Sequence, residues 1–350
     1  MLTALSGKAI MTKAKAMYSR HLTAEQYREM AQLKAVSDIA AYLKEETVYG
    51  EVLTAVQPGA VHRAQLESML RKMRYNQYAS LIRYDAATSD SYYRHLMEQA
   101  EIEQILEMMR LLNAGHPETF VTRYPAFLER SAGFSLAELA KVRDFDGLLR
   151  VLDRTPYAAA LRGHRPDSPE EPVDYTACET ALLSGYYDRL ERIIDRFFRG
   201  RVRTQLHELM QTHVELINIR CIYRVKKFFP DTGTEELRRM LLPSWRRIGS
   251  GDLSQLLEVG SAEDFIGLLN QSKYARYFGE GRDEFLFIEY RADCIEYRLA
   301  RRYLHFASDA PSAFTAFQIL SELELDNIVT IIEGVRYGVP PEEITSMLIL

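Results

Sequence analysis

The sequence predicts an all-α protein built from three similar helical units. The pattern Glu-x-x-(Asn/Gln)-Ile occurs three times, and its glutamates lie 114 and then 109 residues apart along the chain. No stretch shows the sustained alternation of apolar and polar residues that is typical of a half-buried β-strand. Recurrence at nearly constant spacing indicates an internal repeat, and units of this length are small domains rather than short solenoid repeats.

Each unit carries further landmarks in the same order. An apolar segment is followed by a (Thr/Ser)-x-Tyr signal, and then by a long helical pattern in which a Tyr follows a Glu by 8 residues. We therefore predict helical domains over residues 1–122, 123–240 and 241–350. The landmarks are Ile39–Leu43, Tyr49, Glu67 and Tyr75 in the first unit, Phe145–Leu149, Tyr157, Glu179 and Tyr187 in the second, and Phe265–Leu269, Tyr274, Glu289 and Tyr297 in the third.

Two helix starts can be predicted in the first unit. Thr23 followed by Gln26 is the pattern of a capping box, in which both side chains satisfy backbone N–H groups at a helix start. Asp90 or Ser91 would cap the helix that carries Glu101.

The last long helix is predicted from Glu324 towards Gly338. Leu325, Ile328, Val329, Ile332 and Val335 recur at three- and four-residue spacing, which places them on one helical face. Gly338 followed by Pro340 and Pro341 is an ordinary signal for the end of a helix.

Polar residues recur at the repeated positions inside these apolar helices. Burial of a carboxylate or amide lowers the stability of the fold by roughly several kcal/mol unless a hydrogen-bond or ion-pair partner satisfies the group. Two interpretations stay open: each glutamate fixes how the helices of its own unit meet, or the glutamates line a surface that binds a partner. The candidate positions are Glu101, Gln104, Arg110, Glu215, Asn218, Arg224, Glu324, Asn327 and Arg336, together with Tyr49, Tyr157 and Tyr274.

Composition excludes several classes of protein. A hydrophobic content of 47%, a charged content of 27% and a net charge of −5 fit a globular chain without a general attraction to nucleic acid. The longest uncharged apolar run, Ala310 to Ser321, is far shorter than the roughly 20 residues that cross a bilayer. We find no signal peptide, and we expect a soluble, cytoplasmic protein. The cysteines Cys178, Cys221 and Cys294 form no CxxC motif and are expected to be buried free thiols.

No catalytic, cofactor-binding or metal-binding motif is found. The chain has no phosphate-binding loop and no Glu-x-x-His pair of a di-metal bundle. One basic run, from Arg189 to Arg203, contains acidic residues at the spacing of helical ion pairs, Asp188 with Arg192 and Asp195 with Arg199. It indicates either a salt-bridged, solvated helix face or a docking surface for an acidic protein.

These motifs together resemble one family. The Glu-x-x-(Asn/Gln)-Ile helices, the FxGLL and (Thr/Ser)-x-Tyr signals, and the terminal segment Glu324 to Ile344 are similar to the C subunit of the bacterial and archaeal V/A-type ATPase or ATP synthase, the counterpart of the d subunit of the eukaryotic V-ATPase. The resemblance covers about residues 5–350 and is most specific in the terminal segment. Gln104 departs from it, because the other two helices carry asparagine there.

The resemblance implies a funnel of three helical domains in a pseudo-threefold arrangement, without a nucleotide site or other cofactor. In that family the subunit lies on the cytoplasmic mouth of the membrane proteolipid ring and receives the foot of the central axle, made of the D and F subunits. It would be a peripheral, non-catalytic part of the central stalk that transmits torque for ATP-coupled H⁺ or Na⁺ transport. Contact with the membrane would then be indirect, through the ring. We expect the apolar and tyrosine-rich ends of the three repeats to contact the ring, with the axle between the repeats.

Two alternatives remain open at this point. The first is a helical-repeat scaffold that binds peptides or signalling proteins and is unrelated to ATPases. The second is an all-α enzyme with an apolar cavity, which would need a metal or acidic motif that the sequence lacks.

Overall fold

The computed structural model describes residues 2–57, 59, 61–83, 92–122, 125–129, 132–168, 171–278 and 285–350, and these ranges contain helices and no β-strand. The all-α prediction is therefore confirmed. The helices are α1 (Leu2–Tyr18), α2 (Ala24–Ala31), α3 (Val36–Glu46), α4 (Gly50–Leu53), α5 (Arg63–Ile82), α6 (Tyr92–Asn113), α7 (Leu136–Leu139), α8 (Phe145–Leu152), α9 (Pro156–Leu161), α10 (Tyr175–Phe197), α11 (Gly200–Phe228), α12 (Thr234–Arg239), α13 (Ser250–Glu258), α14 (Ala262–Leu269), α15 (Ala275–Phe278), α16 (Phe285–Phe306), α17 (Ala310–Arg336) and α18 (Pro341–Ser346).

The chain folds into two compact units. The first is formed by both ends of the chain, Met1–Thr88 and Glu284–Leu350, and the second is the continuous segment Ser89–Asp283. The three-domain division of the sequence stays a prediction beside this result.

Helix α17 is the centre of the first unit. It packs against α1, α2, α3, α5, α16 and α18. A helix that is surrounded in this way is apolar on all sides rather than along one stripe. Accordingly, the first half of α17 buries Ala313, Phe314, Ala316, Phe317 and Leu320, in addition to the face predicted further along the helix.

The predicted apolar face of α17 lies in the core of this unit. Leu325, Ile328, Ile332 and Val335 are buried, and Val329 is partly buried and packs against the same cluster. Burial of each large aliphatic side chain contributes about 1.5–3 kcal/mol. The residues that meet this face from α3, α4 and α5 are Ile39, Ala40, Leu43, Leu53, Leu66, Leu70 and Met73.

The predicted end of α17 is confirmed. Gly338 has φ +69°, its N–H donates to the carbonyl of Val335, and the N–H of Val339 donates to the carbonyl of Gly334. This pair of bonds is a Schellman motif, which requires a residue in the left-handed region after the helix. Helix α18 then begins at Pro341, and its Ile344 packs onto α17 at Gly334, where a Cβ would lie 2.6 Å from Cγ1 of Ile344.

In the second unit, α10 packs against α6, α9 and α11, and α11 packs against α14. Helices α5, α10 and α16 each carry one Glu-x₇-Tyr landmark, so these three landmarks lie on long helices as the sequence predicts. The (Thr/Ser)-x-Tyr signals follow α3, α8 and α14. At Thr47 and Ser272 the hydroxyl donates to a carbonyl at the end of the preceding helix and accepts from the N–H of the tyrosine two residues on.

The helix starts agree with the sequence where they can be compared. Thr23 and Gln26 form a capping box at the start of α2, so that prediction is confirmed. The predicted cap at Asp90 or Ser91 lies outside the described residues.

The basic run forms different contacts from those its spacing predicts. Arg192 in α10 and Arg199, which follows α10, donate to the main-chain carbonyls of Asp188 and Asp195. The carboxylate of Asp195 instead pairs with Arg203. The three cysteines are free; Cys178 is buried, and Cys221 and Cys294 are half-buried. Within the described ranges, no helix is long and apolar enough to cross a membrane.

Candidate functional site: three glutamate–tyrosine pairs

The three repeated glutamates each receive a hydrogen bond from one of the three repeated tyrosines. Tyr274 pairs with Glu215, Tyr157 with Glu101, and Tyr49 with Glu324. In each pair one carboxylate oxygen accepts from the phenol and the other accepts from a backbone N–H. We call these the three glutamate–tyrosine pairs.

The Glu215 pair is the most enclosed. Glu215 on α11 is 0% exposed, and its Oε1 accepts from three consecutive backbone N–H groups, those of Arg246, Arg247 and Ile248, at 3.1, 2.7 and 2.8 Å. Consecutive N–H groups that converge on one point form an anion-binding concavity. A carboxylate at the middle of a helix therefore fixes the loop that precedes α13.

The Arg247 side chain completes this pair. Its guanidinium donates to Tyr274 Oη at 3.2 Å and to Thr212 Oγ1 at 3.0 Å, and lies 3.9 Å from Glu215 Oε2. The same group lies over the Tyr274 ring, 5.3 Å from the ring centroid. The buried negative charge is thus compensated by one cation, three peptide dipoles and a phenol.

The Glu101 pair is less buried. Oε2 accepts from Tyr157 at 2.8 Å and Oε1 accepts from the N–H of Gly133 at 3.0 Å. Burial raises the pKa of Glu101, although the bonds from Tyr157 and Gly133 oppose the rise. Beside it, burial tends to raise the pKa of Glu98, but bonds from His95 and Arg189 hold that pKa below its ordinary value.

The Glu324 pair lies in the first unit. Oε1 accepts from Tyr49 at 2.7 Å, and Oε2 accepts from the N–H of Leu22 at 2.9 Å and lies 3.0 Å from Nδ1 of His21. Burial raises the pKa of Glu324 to about 7, a rise that the bonds from Tyr49 and Leu22 oppose. Burial also lowers the pKa of His21 to about 4. The segment between α1 and α2 is thereby attached to the centre of α17.

The repeated amides form a second set of braces. Asn218 donates to the carbonyl of Leu242 and accepts from its N–H, at 2.9 and 2.8 Å. Asn327 makes the same two bonds to Ile349, at 2.8 and 2.9 Å. Gln104 is half-buried and forms no such pair among the described residues. On that helix, Asn113 makes the two bonds instead, to Val173, both at 2.8 Å.

The three candidate arginines lie on the protein surface, outside the three glutamate–tyrosine pairs. Arg110 is exposed and pairs with Glu107 at 3.0 Å, and Arg336 is exposed with its guanidinium 3.9 Å from Glu333. Arg224 is also exposed. A partner-facing role therefore stays a prediction for these three positions, whereas the glutamates and tyrosines are directed into the protein.

Sequence reasoning missed the residues that complete each pair. The donors from Leu22, Gly133 and Arg246 are backbone N–H groups, which have no side-chain signature. His21 and Arg247 do not belong to the repeated sequence pattern, so the spacing of that pattern does not identify them. The one available signal was the short distance of His21 from the capping box at Thr23, which marks a helix start where the chain turns back.

Each pair joins two of the three predicted domains rather than helices of a single predicted domain. Glu101 and Glu215 lie in the first and second predicted domains, and their tyrosines lie in the second and third; Glu324 of the last domain pairs with Tyr49 of the first. In the predicted three-domain division each glutamate therefore bonds outside its own domain, although both members of each pair lie in the same compact unit. Long-range pairs of this kind cross-link the fold.

The arrangement suits mechanical support rather than a reaction. Each carboxylate is occupied by fixed donors, and the described residues contain no cluster of three His, Cys, Asp or Glu side chains that is able to hold a metal ion. The fold and these pairs define an all-α protein whose long helices are braced internally.

The comparison with known sequences names the family. The sequence model of the ATP synthase (C/AC39) subunit family matches residues 10–347, and the chain belongs to this family. The family identifies it as a non-catalytic subunit of a rotary complex, as the sequence predicts.

Two relatives are similar over most of their length. The C subunit of the A-type ATP synthase of Methanocaldococcus jannaschii is 22% identical over 315 residues, which cover 88% of this chain and 77% of the relative. The C subunit of the A-type ATP synthase of Archaeoglobus fulgidus is 21% identical over 345 residues, covering 97% of this chain and 95% of the relative.

Proposed function

We propose that this protein is the rotor subunit that links the central axle, made of the D and F subunits, to the membrane proteolipid ring of a V/A-type ATP synthase or ATPase. It transmits torque during ATP-coupled H⁺ or Na⁺ transport and works at the cytoplasmic face of the membrane. The observation that carries the proposal is the family match over residues 10–347. A scaffold unrelated to ATPases is not favoured by that match.

The glutamate–tyrosine pairs support a load-bearing role. Each ties the middle of a long helix to a loop or helix start that lies far along the chain, such as Glu324 with Leu22. Loss of a partner that leaves a buried polar group unsatisfied costs about 1–3 kcal/mol, so such a connection resists local deformation. A protein that passes torque between two partners needs this resistance and needs no active site.

The test uses the full chain with separately purified axle (D–F) and detergent-solubilised ring. We expect the chain to bind both the axle and the ring. A complex prepared without this chain should hydrolyse ATP without pumping ions, and addition of the chain should restore ATP-driven ion pumping. The chain alone should hydrolyse no ATP. A well-folded helical chain that binds neither component would overturn the proposal.

A matched pair of variants separates binding from torque transmission. Tyr274→Phe removes the phenol bond to Glu215, whereas Tyr337→Phe alters an exposed tyrosine at the end of α17. If the pairs carry load, the first variant should still bind both components but lower the number of ions pumped per ATP. Equal pumping by both variants would show that the pairs contribute to folding alone.

A further inference from the structure

A basic groove lies in the first compact unit, alongside α1 and the last turns of α16. Its volume is about 780 Å³, and no acidic side chain lines it among the described residues. This is unusual in a chain whose net charge is −5. The basic residues that line the groove are Lys15, Arg298, Arg301, Arg302 and His305.

The arginines are placed for an external partner. Arg298, Arg301 and Arg302 are exposed and share one face of α16, because they lie three and four residues apart. Among the described residues, no carboxylate forms an ion pair with Arg298 or Arg301. Lys15, in contrast, serves the fold: its Nζ donates to the carbonyls of His305 and Ala307, at 3.2 and 3.3 Å.

The repeated fold does not require these charges. When α10 is aligned with α16 by the Glu-x₇-Tyr landmark, the positions of Arg298, Arg301 and His305 correspond to Asp188, Glu191 and Asp195. On α5 the first two positions hold neutral residues, Asn76 and Ala79. The positions of Arg298 and Arg301 are thus neutral in α5 and acidic in α10, whereas the position of Arg302 is also basic in α10, at Arg192, so the basic charge at the first two positions is specific to α16.

The acidic residues at these positions of α10 also differ in their pairing. Asp195 bonds to Arg203 at 2.7 Å and to Nε2 of His207 at 2.8 Å, so its charge is compensated within the chain. Among the described residues, the basic end of α16 has no equivalent compensation at Arg298 and Arg301. The charge of Asp195 on α10 is compensated within the chain, whereas the charges of Arg298 and Arg301 on α16 are available to a partner.

Aromatic side chains provide the apolar part of the groove. Tyr18 and Tyr297 form part of its lining, the Arg301 guanidinium lies 5.8 Å from the centroid of the Tyr297 ring, and Phe306 at the rim is 68% exposed. Arginine and aromatic residues are enriched at protein interfaces, where they act as anchors. A large exposed phenylalanine beside these arginines matches that composition.

We propose that this groove binds an acidic helical segment of a partner protein. Carboxylates one helical turn apart on that segment pair with Arg298 and Arg301, whose planar guanidinium groups donate two parallel hydrogen bonds to a carboxylate. The apolar side of the segment packs on Phe306 and Tyr297. This inference rests on the groove alone and does not require the proposed function.

The experiment measures fluorescence anisotropy of a labelled helical peptide of about 20 residues, with glutamates along one face, against the full chain. Its control peptide has glutamine at those positions. We expect the glutamate peptide to bind more tightly, with an affinity that falls as salt rises. The double variant Arg298→Glu/Arg301→Glu should weaken binding by about tenfold or more.

The matched control is Arg192→Glu/Arg196→Glu, which reverses two exposed arginines at the end of α10. It should leave binding unchanged, and circular dichroism should show both double variants folded. Equal loss in the two double variants, or equal binding of the two peptides, would overturn the proposal. So would binding of phosphatidylserine vesicles that depends on Arg298 and Arg301 while the peptide does not bind, because the groove would then be a lipid site.

Discussion

A phenol that satisfies a buried carboxylate makes a measurable contribution at the scale of a single residue. We predict that Tyr274→Phe lowers the free energy of unfolding by about 1–3 kcal/mol, because an oxygen of the fully buried Glu215 loses a donor that water does not replace. Tyr337→Phe, at an exposed tyrosine, should change it by less than about 0.5 kcal/mol. Urea unfolding measures both, and a loss for Tyr274→Phe no larger than that of its control would contradict the role given to the phenol.

The pair of His21 and Glu324 should have opposing effects on stability as pH changes. The pKa of Glu324 rises from an ordinary 4.5 to about 7, so its contribution is complete below pH 4.5 and is lost as pH rises through 7. The pKa of His21 falls from 6.5 to about 4, so its contribution is complete above pH 6.5 and is lost as pH falls through 4. Between pH 4.5 and 6.5 both the folded and the unfolded pair hold one proton, and the two effects cancel.

Single substitutions should therefore expose each effect. In His21→Asn, the urea midpoint should fall as pH rises from 4.5 to 7, because Glu324 then acts alone. In Glu324→Gln, the midpoint should rise with pH between 4 and 6.5, because His21 then acts alone. The same pH profile in the wild type and both variants would rule out the linkage.

The sequence predicts the members of the glutamate–tyrosine pairs but not their pairing. Constant spacing identifies Glu215 and Tyr274 separately, because each recurs in every copy. Spacing within a predicted domain suggests a partner inside that domain, whereas in the structure each bond joins residues of two different predicted domains. The remaining donors are peptide N–H groups, such as that of Gly133, which any sequence provides.

The close contact of two helices offers a test at the scale of the element. Gly334 on α17 faces Ile344 of α18, and the fully buried Ile344 side chain has little room to move away from an added methyl group. We predict that Gly334→Ala destabilises the protein by about 1–3 kcal/mol, although alanine is the better helix former. A stabilising effect of Gly334→Ala would contradict this prediction, because α18 would then move away from the added methyl group without loss of stability.

The matched control is Gly267→Ala in α14, where no atom lies within 4 Å of the added Cβ. That change should stabilise the protein by about 0.5–1 kcal/mol through helix propensity. The thermal unfolding temperatures of the two variants separate the effect of the close contact between Gly334 and Ile344 from the effect of helix propensity.

Helix ends are predicted well from the sequence, and helix surroundings less well. Thr23 with Gln26 and Gly338 with Pro340 mark boundaries that the structure confirms, since caps depend on a few adjacent residues. The apolar first half of α17, from Ala313 to Leu320, is not distinguished by periodicity. Its burial on all sides results from packing against helices that are distant in sequence.

At the scale of the whole molecule, the two compact units differ in how they use the chain. The second unit is one continuous segment, so a fragment of residues 89–283 should fold alone and unfold cooperatively. A fragment of residues 1–88 should not, because its core includes Leu325, Ile328 and Ile332 of α17. Adding a fragment of residues 284–350 should restore its tertiary structure, measured by near-ultraviolet circular dichroism. A fragment 1–88 that is well ordered alone would contradict this.

The closure of the first unit by both ends of the chain affects folding during synthesis. Helices α1 to α5 leave the ribosome well before their central partner α17 is translated. Domains that are continuous in sequence fold as they emerge from the ribosome. The unit Ser89–Asp283 is therefore able to fold before α17 is available to pack against helices α1 to α5. For that interval the apolar residues of α3 and α5 lack their core, and the nascent chain presents a natural substrate for chaperones.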